Sequence, residues 1–131
     1  MSDIDDPEDL PMYAVRLTER AQRDIDEATL HFAETASEQT AVAWREGFYE
    51  AIAALATLPR AHPLAPEHFR GETRQMQYRR AGNSTAYRVL FTITGEEPNA
   101  LDAPTVNILH VRHAAARPLT RAHIRAIEAQ Q

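Results

Sequence analysis

The chain has 131 residues, 44% hydrophobic and 25% charged, which suits one soluble domain built around one core. It contains no cysteine. That excludes disulfides, thiolate metal sites and a cysteine nucleophile, and it fits a reducing, cytoplasmic setting. The net charge is −5 and every basic residue is arginine, but the charge is uneven: residues 1–10 carry five acids and no arginine, whereas residues 60–125 carry ten arginines against five acids.

Residues 1–11 are acidic and hold Pro7 and Pro11. They read as a disordered tail ahead of a single domain over 12–131. The acidic start lacks the apolar segment of a secretory signal. No apolar run approaches the roughly 20 residues of a membrane span, so no membrane partner is expected. Residues 12–17 place Tyr13, Val15 and Leu17 on one face of a short strand. Thr18-Glu19 is a helix start, and Ala21, Ile25, Ala28, Phe32 and Ala36 form an apolar stripe behind it. Ser37-Glu38 repeats the signal. Ala41, Trp44, Phe48, Ile52, Leu55 and Leu58 carry a second stripe, which Pro59 ends. Two helices so briefly connected form an antiparallel hairpin.

Residues 59–73, with three prolines and Gly71, read as loop. Three strands follow. The first covers 74–80. After a turn at Gly82-Asn83-Ser84, the second runs over 85–94 and alternates Tyr87, Val89, Phe91 and Ile93 against Ala86, Arg88, Leu90 and Thr92. The third covers 105–112, with Val106 and Ile108 set against Leu109 and Val111. An acidic connection, 95–104, separates the last two strands. Pro118 suits the first turn of a short C-terminal helix carrying Ile124 and Ile127. The expected fold is α+β: an N-terminal strand and a helical hairpin packed on a mainly antiparallel sheet of about four strands.

Chemistry-bearing residues are few. Arg88 sits mid-strand among apolar neighbours, where a guanidinium needs a carboxylate, carbonyls, solvent or a phosphate. An internal ion pair and a phosphate contact are both open for it. Arg74 opens a strand, and Arg117 stands before Pro118. His110 and His113 fall on opposite faces of the last strand and so are poor candidates for a shared metal site. His62 and His68 lack ligand spacing, and no metal or cofactor is expected. There is no phosphate loop and no nucleophile elbow. A metal-free RNA-cleaving site needs a base, an acid and cations around the phosphate. His113 is the candidate acid or base, Arg88, Arg74 and Arg117 are the candidate cations, and Glu67 is a remote candidate for the base.

The segment Tyr13-Ala-Val-Arg-Leu-Thr18, with Ala21 and Asp24-Ile25, resembles the opening of the RelE/ParE toxin superfamily. Leu58-Pro59, Arg74, Tyr87-Arg-Val-Leu-Phe91 and Ile108-Leu-His-Val-Arg-His113 with Arg117 continue that pattern in order. The resemblance implies the toxin of a type II toxin–antitoxin module, neutralised by a cognate antitoxin with an extended acidic segment in a possible hetero-oligomer. ParE-type members poison DNA gyrase, and RelE-type members cut mRNA at the ribosome. In the RNA-cutting branch, Arg88 matches a phosphate-contacting arginine and His113 a catalytic histidine, while Arg74 and Arg117 match other basic positions. The acidic charge, the lack of lysine and the missing C-terminal aromatic favour the ParE-like branch, because ribosome engagement is driven by polyanion electrostatics. A RelE-like endoribonuclease and a non-toxic binding module of the same fold are the alternatives.

Overall fold

A computed structural model describes residues 12–80 and 85–130. The acidic tail expected at 1–11 and the turn at 82–84 lie outside the described residues. Four strands form one sheet: β1 (Ala14–Leu17), β2 (Arg74–Arg79), β3 (Ala86–Thr94) and β4 (Thr105–His113), in the spatial order β1-β4-β3-β2. β2 with β3 and β3 with β4 are antiparallel, and β1 joins β4 in parallel. That parallel step is possible because the whole helical hairpin lies between the two strands in sequence.

The hairpin is α1 (Glu19–Thr35) and α2 (Glu38–Ala53). Both caps are where the sequence places them: the Thr18 hydroxyl accepts from the Ala21 N–H, and the Ser37 hydroxyl from the Thr40 N–H. Each satisfies an amide that has no partner in the first turn. Their apolar stripes cover one face of the sheet. Ile25, Trp44, Phe48, Val89, Phe91, Val106 and Ile108 are almost fully buried there. The Trp44 ring lies 5.0 Å from Phe48 and 5.1 Å from Tyr87, and Phe48 meets Tyr78 edge-on at 5.4 Å. Gly47 makes that last approach possible, since a Cβ there would stand 2.3 Å from the Tyr78 hydroxyl.

The second helix ends earlier than its stripe suggests. The α-helix stops at Ala53, a 3-10 turn spans Ala54–Ala56, and Leu58 takes a left-handed backbone (φ 53°) with its side chain exposed. Proline disfavours the helical region for the residue before it, so Pro59 ends the regular path ahead of Leu58. Leu55 stays buried, and Leu58 does not join the core.

The alternation expected for β4 also breaks. Leu90 pairs with His110 but Phe91 pairs with Ile108, so Leu109 is an extra, bulged residue. The bulge inverts the alternation beyond it. Val111 therefore joins Val106 and Ile108 under the hairpin instead of following Leu109. Leu109 points to the far face with Leu90, beneath the C-terminal helix α3 (Arg121–Glu128) and its buried Ile127. That helix begins after Pro118, not on it. Thr120 is the cap, its hydroxyl accepting from His123 N–H while the His123 side chain accepts from the Thr120 N–H. Among the described residues no helix is long and apolar enough to cross a membrane.

Candidate functional site

Arg88 stands on the far face of the sheet, opposite Gln77 on β2 and Arg112 on β4. Its guanidinium donates two bonds of 2.8 Å to the two oxygens of Glu67 and a third of 2.9 Å to Gln75 Oε1. Arg88 and Glu67 are each 14% exposed. Glu67 is therefore no solvated loop acid. Hydrogen bonding from Arg88 holds its carboxyl below the usual carboxylate range, against the opposing effect of burial. A carboxylate so stabilised is a weaker base than an ordinary glutamate. Arg112 has its pKa pulled down by its own burial and by Arg88, and its guanidinium donates to the Arg117 carbonyl.

His113 pairs with Tyr87, whose ring faces the hairpin. The imidazole packs edge-on against that ring at 5.4 Å, and its Nδ1 accepts from the Ala115 N–H at 3.0 Å. Nε2 is left as the nitrogen able to exchange a proton with a ligand. His110 has its Nδ1 2.8 Å from Asp24 Oδ2, the same oxygen that accepts from the Val111 N–H at 2.9 Å. The Nδ1 is buried, and its contact with Asp24 lacks hydrogen-bond alignment. It closes the stretch of β4 that outruns the four-residue β1.

Arg74 is opposite Phe91 and so belongs to the hairpin side of the sheet. Its guanidinium donates to the Arg60 and His62 carbonyls and to Glu72. Glu72 and Glu96 both receive Arg60, and the Tyr13 hydroxyl donates to Glu96 at 2.7 Å. This chain of charges ties the loop after α2 to the start of the long β3–β4 connection. Arg117 has an exposed side chain beyond the end of β4.

The structure thus does not gather the candidates into one site. His113 and Arg88 are on opposite faces. Arg74 shares the face of His113 but is four β3 positions away from it, about 14 Å along a strand. Arg88 and Arg74 are committed to internal partners, and Arg117 is exposed. Among the described residues no three metal-ligating side chains converge.

An N-terminal strand, a helical hairpin, three antiparallel strands and arginine-centred ties to the loops make up the arrangement. The family model for the ParE toxin of the type II toxin–antitoxin system parDE matches residues 15–118. The chain belongs to the ParE toxin family. Its fold is shared with a chain of the chromosomal ParDE toxin–antitoxin system from P. aeruginosa, at a TM-score of 0.60 and 17% identity, covering 78% of this chain and 96% of that one. No curated protein matches.

Two pairings of this ParE-family domain are invisible to sequence reasoning: Glu67 with Arg88, and Asp24 with His110. The partners are 21 and 86 positions apart, and no periodicity links them. The one available signal was chemical: an arginine inside an apolar strand demands a partner, and Glu67 is an acid in the loop ahead of the neighbouring strand β2.

Proposed function

We propose that this ParE-family chain is a growth-inhibiting toxin that acts by binding its target, DNA gyrase, rather than by cutting RNA, and that a cognate antitoxin neutralises it. The observation that carries this reading is the separation of Arg88 from His113. A phosphorane needs its acid, base and cations within hydrogen-bond reach of the same few atoms. Here the arginine is bidentate to Glu67 on one face and the histidine stacks on Tyr87 on the other. The net negative charge agrees, because tight ribosome binding favours a strongly basic protein. The antitoxin is a protein with an extended acidic segment, and Arg117, the exposed member of the three candidate arginines, is the proposed contact for it.

The test is growth on expression with and without the neighbouring gene product, joined to a gyrase supercoiling assay on purified protein. Growth arrest, rescue by the antitoxin and inhibited supercoiling support the reading. Untouched supercoiling, with mRNA cuts that vanish in His113→Ala, supports the endoribonuclease instead.

A further inference from the structure

α3 covers part of the far face, leaving a polar row of the sheet open. Arg16 on β1 is directly opposite Asn107 on β4, and Asn107 is opposite Thr92 on β3. The Asn107 amide donates to the Thr94 hydroxyl at 3.0 Å. Arg16, Asn107 and Thr94 floor a groove of about 740 Å³, walled by Arg20 and Arg23 of α1 on one side and Gln130, just beyond α3, on the other. Glu19 is its acidic member. Among the described residues, Arg16, Arg20 and Arg23 form no ion pair, in contrast to Arg60, Arg74 and Arg88.

The groove is therefore cationic at Arg16 on its floor and at Arg20 and Arg23 on its α1 wall, and hydrogen-bonding at Asn107, Thr94 and Gln130. The Asn107 and Gln130 amide nitrogens are already used, by the threonines and by the Leu109 and Ile127 carbonyls. Their carbonyl oxygens have no such partner among the described residues and can accept N–H or O–H groups. Guanidinium forks suit phosphate oxygens bidentately, and a site of this volume takes a small polar ligand. A second arginine-bearing groove, between the loop at 67–70 and α3, differs: its Glu67 and Glu128 sit among Arg70, Arg121 and Arg125 and reduce the net charge.

We propose that the Arg16–Arg20–Arg23 groove binds a phosphorylated nucleoside. The phosphates sit on the three guanidinium groups, and the sugar or base donates to Asn107 and Gln130. The phosphate belongs either to a free nucleotide or to a single-stranded oligonucleotide. This site is separate from the residues invoked above for toxicity and does not depend on the gyrase reading.

The experiment is calorimetric titration of the full chain with ATP, inorganic pyrophosphate, a single-stranded hexanucleotide and a glutamate-rich peptide. The variants are Arg20→Gln/Arg23→Gln and, as control, Arg125→Gln in the other groove. Saturable binding of ATP or the hexanucleotide, weakened about tenfold or more in the double variant and unchanged in Arg125→Gln, supports the site. ATP binding tighter than the hexanucleotide assigns it to free nucleotides, and the reverse to oligonucleotides. For the hexanucleotide, log K falling against log salt with a slope near about −2 agrees with three phosphate contacts. No binding, binding indifferent to the double variant, or pyrophosphate binding as well as ATP overturns the proposal. Preference for the acidic peptide overturns it in favour of a carboxylate ligand. Thermal unfolding of the double variant, whose arginines make no ion pair, verifies that it is folded.

Discussion

Arg88 and Glu67 meet through two parallel hydrogen bonds of 2.8 Å, fork to fork, on a face of the sheet that His113 does not share. The pair converts the most suggestive arginine of the sequence into a tie between β3 and the loop ahead of β2. Removing one partner leaves the other charge largely buried and unpaired. Glu67→Gln is expected to cost about 3 kcal/mol at pH 7, measured by urea unfolding. The folded-state pKa of Glu67 is depressed, so its stabilising effect is present above the unfolded carboxylate value of about 4.3 and is lost as pH falls through the folded value. The gap between wild type and Glu67→Gln should therefore close between neutral pH and pH values below that range. A gap that is constant with pH contradicts this account. Glu67→Leu/Arg88→Met should recover most of the loss, because it removes both charges together.

Asp24 acts where β1 runs out. Its carboxylate takes the Val111 N–H and stands against His110. Asp24→Ala leaves that amide without an acceptor and should cost about 1–3 kcal/mol, whereas Asp24→Asn keeps an acceptor and should cost less. Amide hydrogen exchange at Val111 should accelerate in Asp24→Ala well before global unfolding. Equal exchange in the two proteins would show that the carboxylate does not close this edge.

The contact between α2 and β2 is set by the absence of a side chain at Gly47. Gly47→Ala drives a methyl into the Tyr78 hydroxyl and should lower stability by about 1–3 kcal/mol. Tyr78→Phe removes the clashing oxygen and leaves the nearest ring carbon at 3.4 Å, an ordinary contact. The double variant should be more stable than Gly47→Ala alone in thermal unfolding. If it is not, the clash lies in the backbone and not in the hydroxyl.

α3 is held by Ile127 over Leu90 and Leu109, by the Gln130 amide on the Leu109 carbonyl, and by Glu128 accepting from the Arg70 and Gly71 N–H groups. Ile127→Ala should cost about 2–5 kcal/mol. The loss falls on the far face, so limited proteolysis between His113 and Arg121 should rise while the fluorescence of Trp44, in the opposite layer, is unchanged under native conditions. A matching change in Trp44 would mean that the two layers unfold as one.

Much of this architecture is written locally. The caps at Thr18 and Ser37, the two apolar stripes and the alternation of β3 each depend on residues within a few positions of one another, and each is found in the structure. The order of these segments was also enough to point to the toxin family. Three features were decided elsewhere. Leu58 belongs by spacing to the second stripe, but the following proline turns the backbone away from it. Val111 belongs by alternation with Leu109, but one bulged residue inverts the count, and only the register against β3 reveals it. Arg88 is compatible by sequence with a phosphate or an ion pair. The path of the loop at 59–73 decides between them by laying Glu67 across it. Periodicity is a property of one segment, so the sequence by itself determined which elements form and how apolar residues are spaced within each. Register, sheet face and charge pairing are relations between segments, and they exist only once the chain has folded.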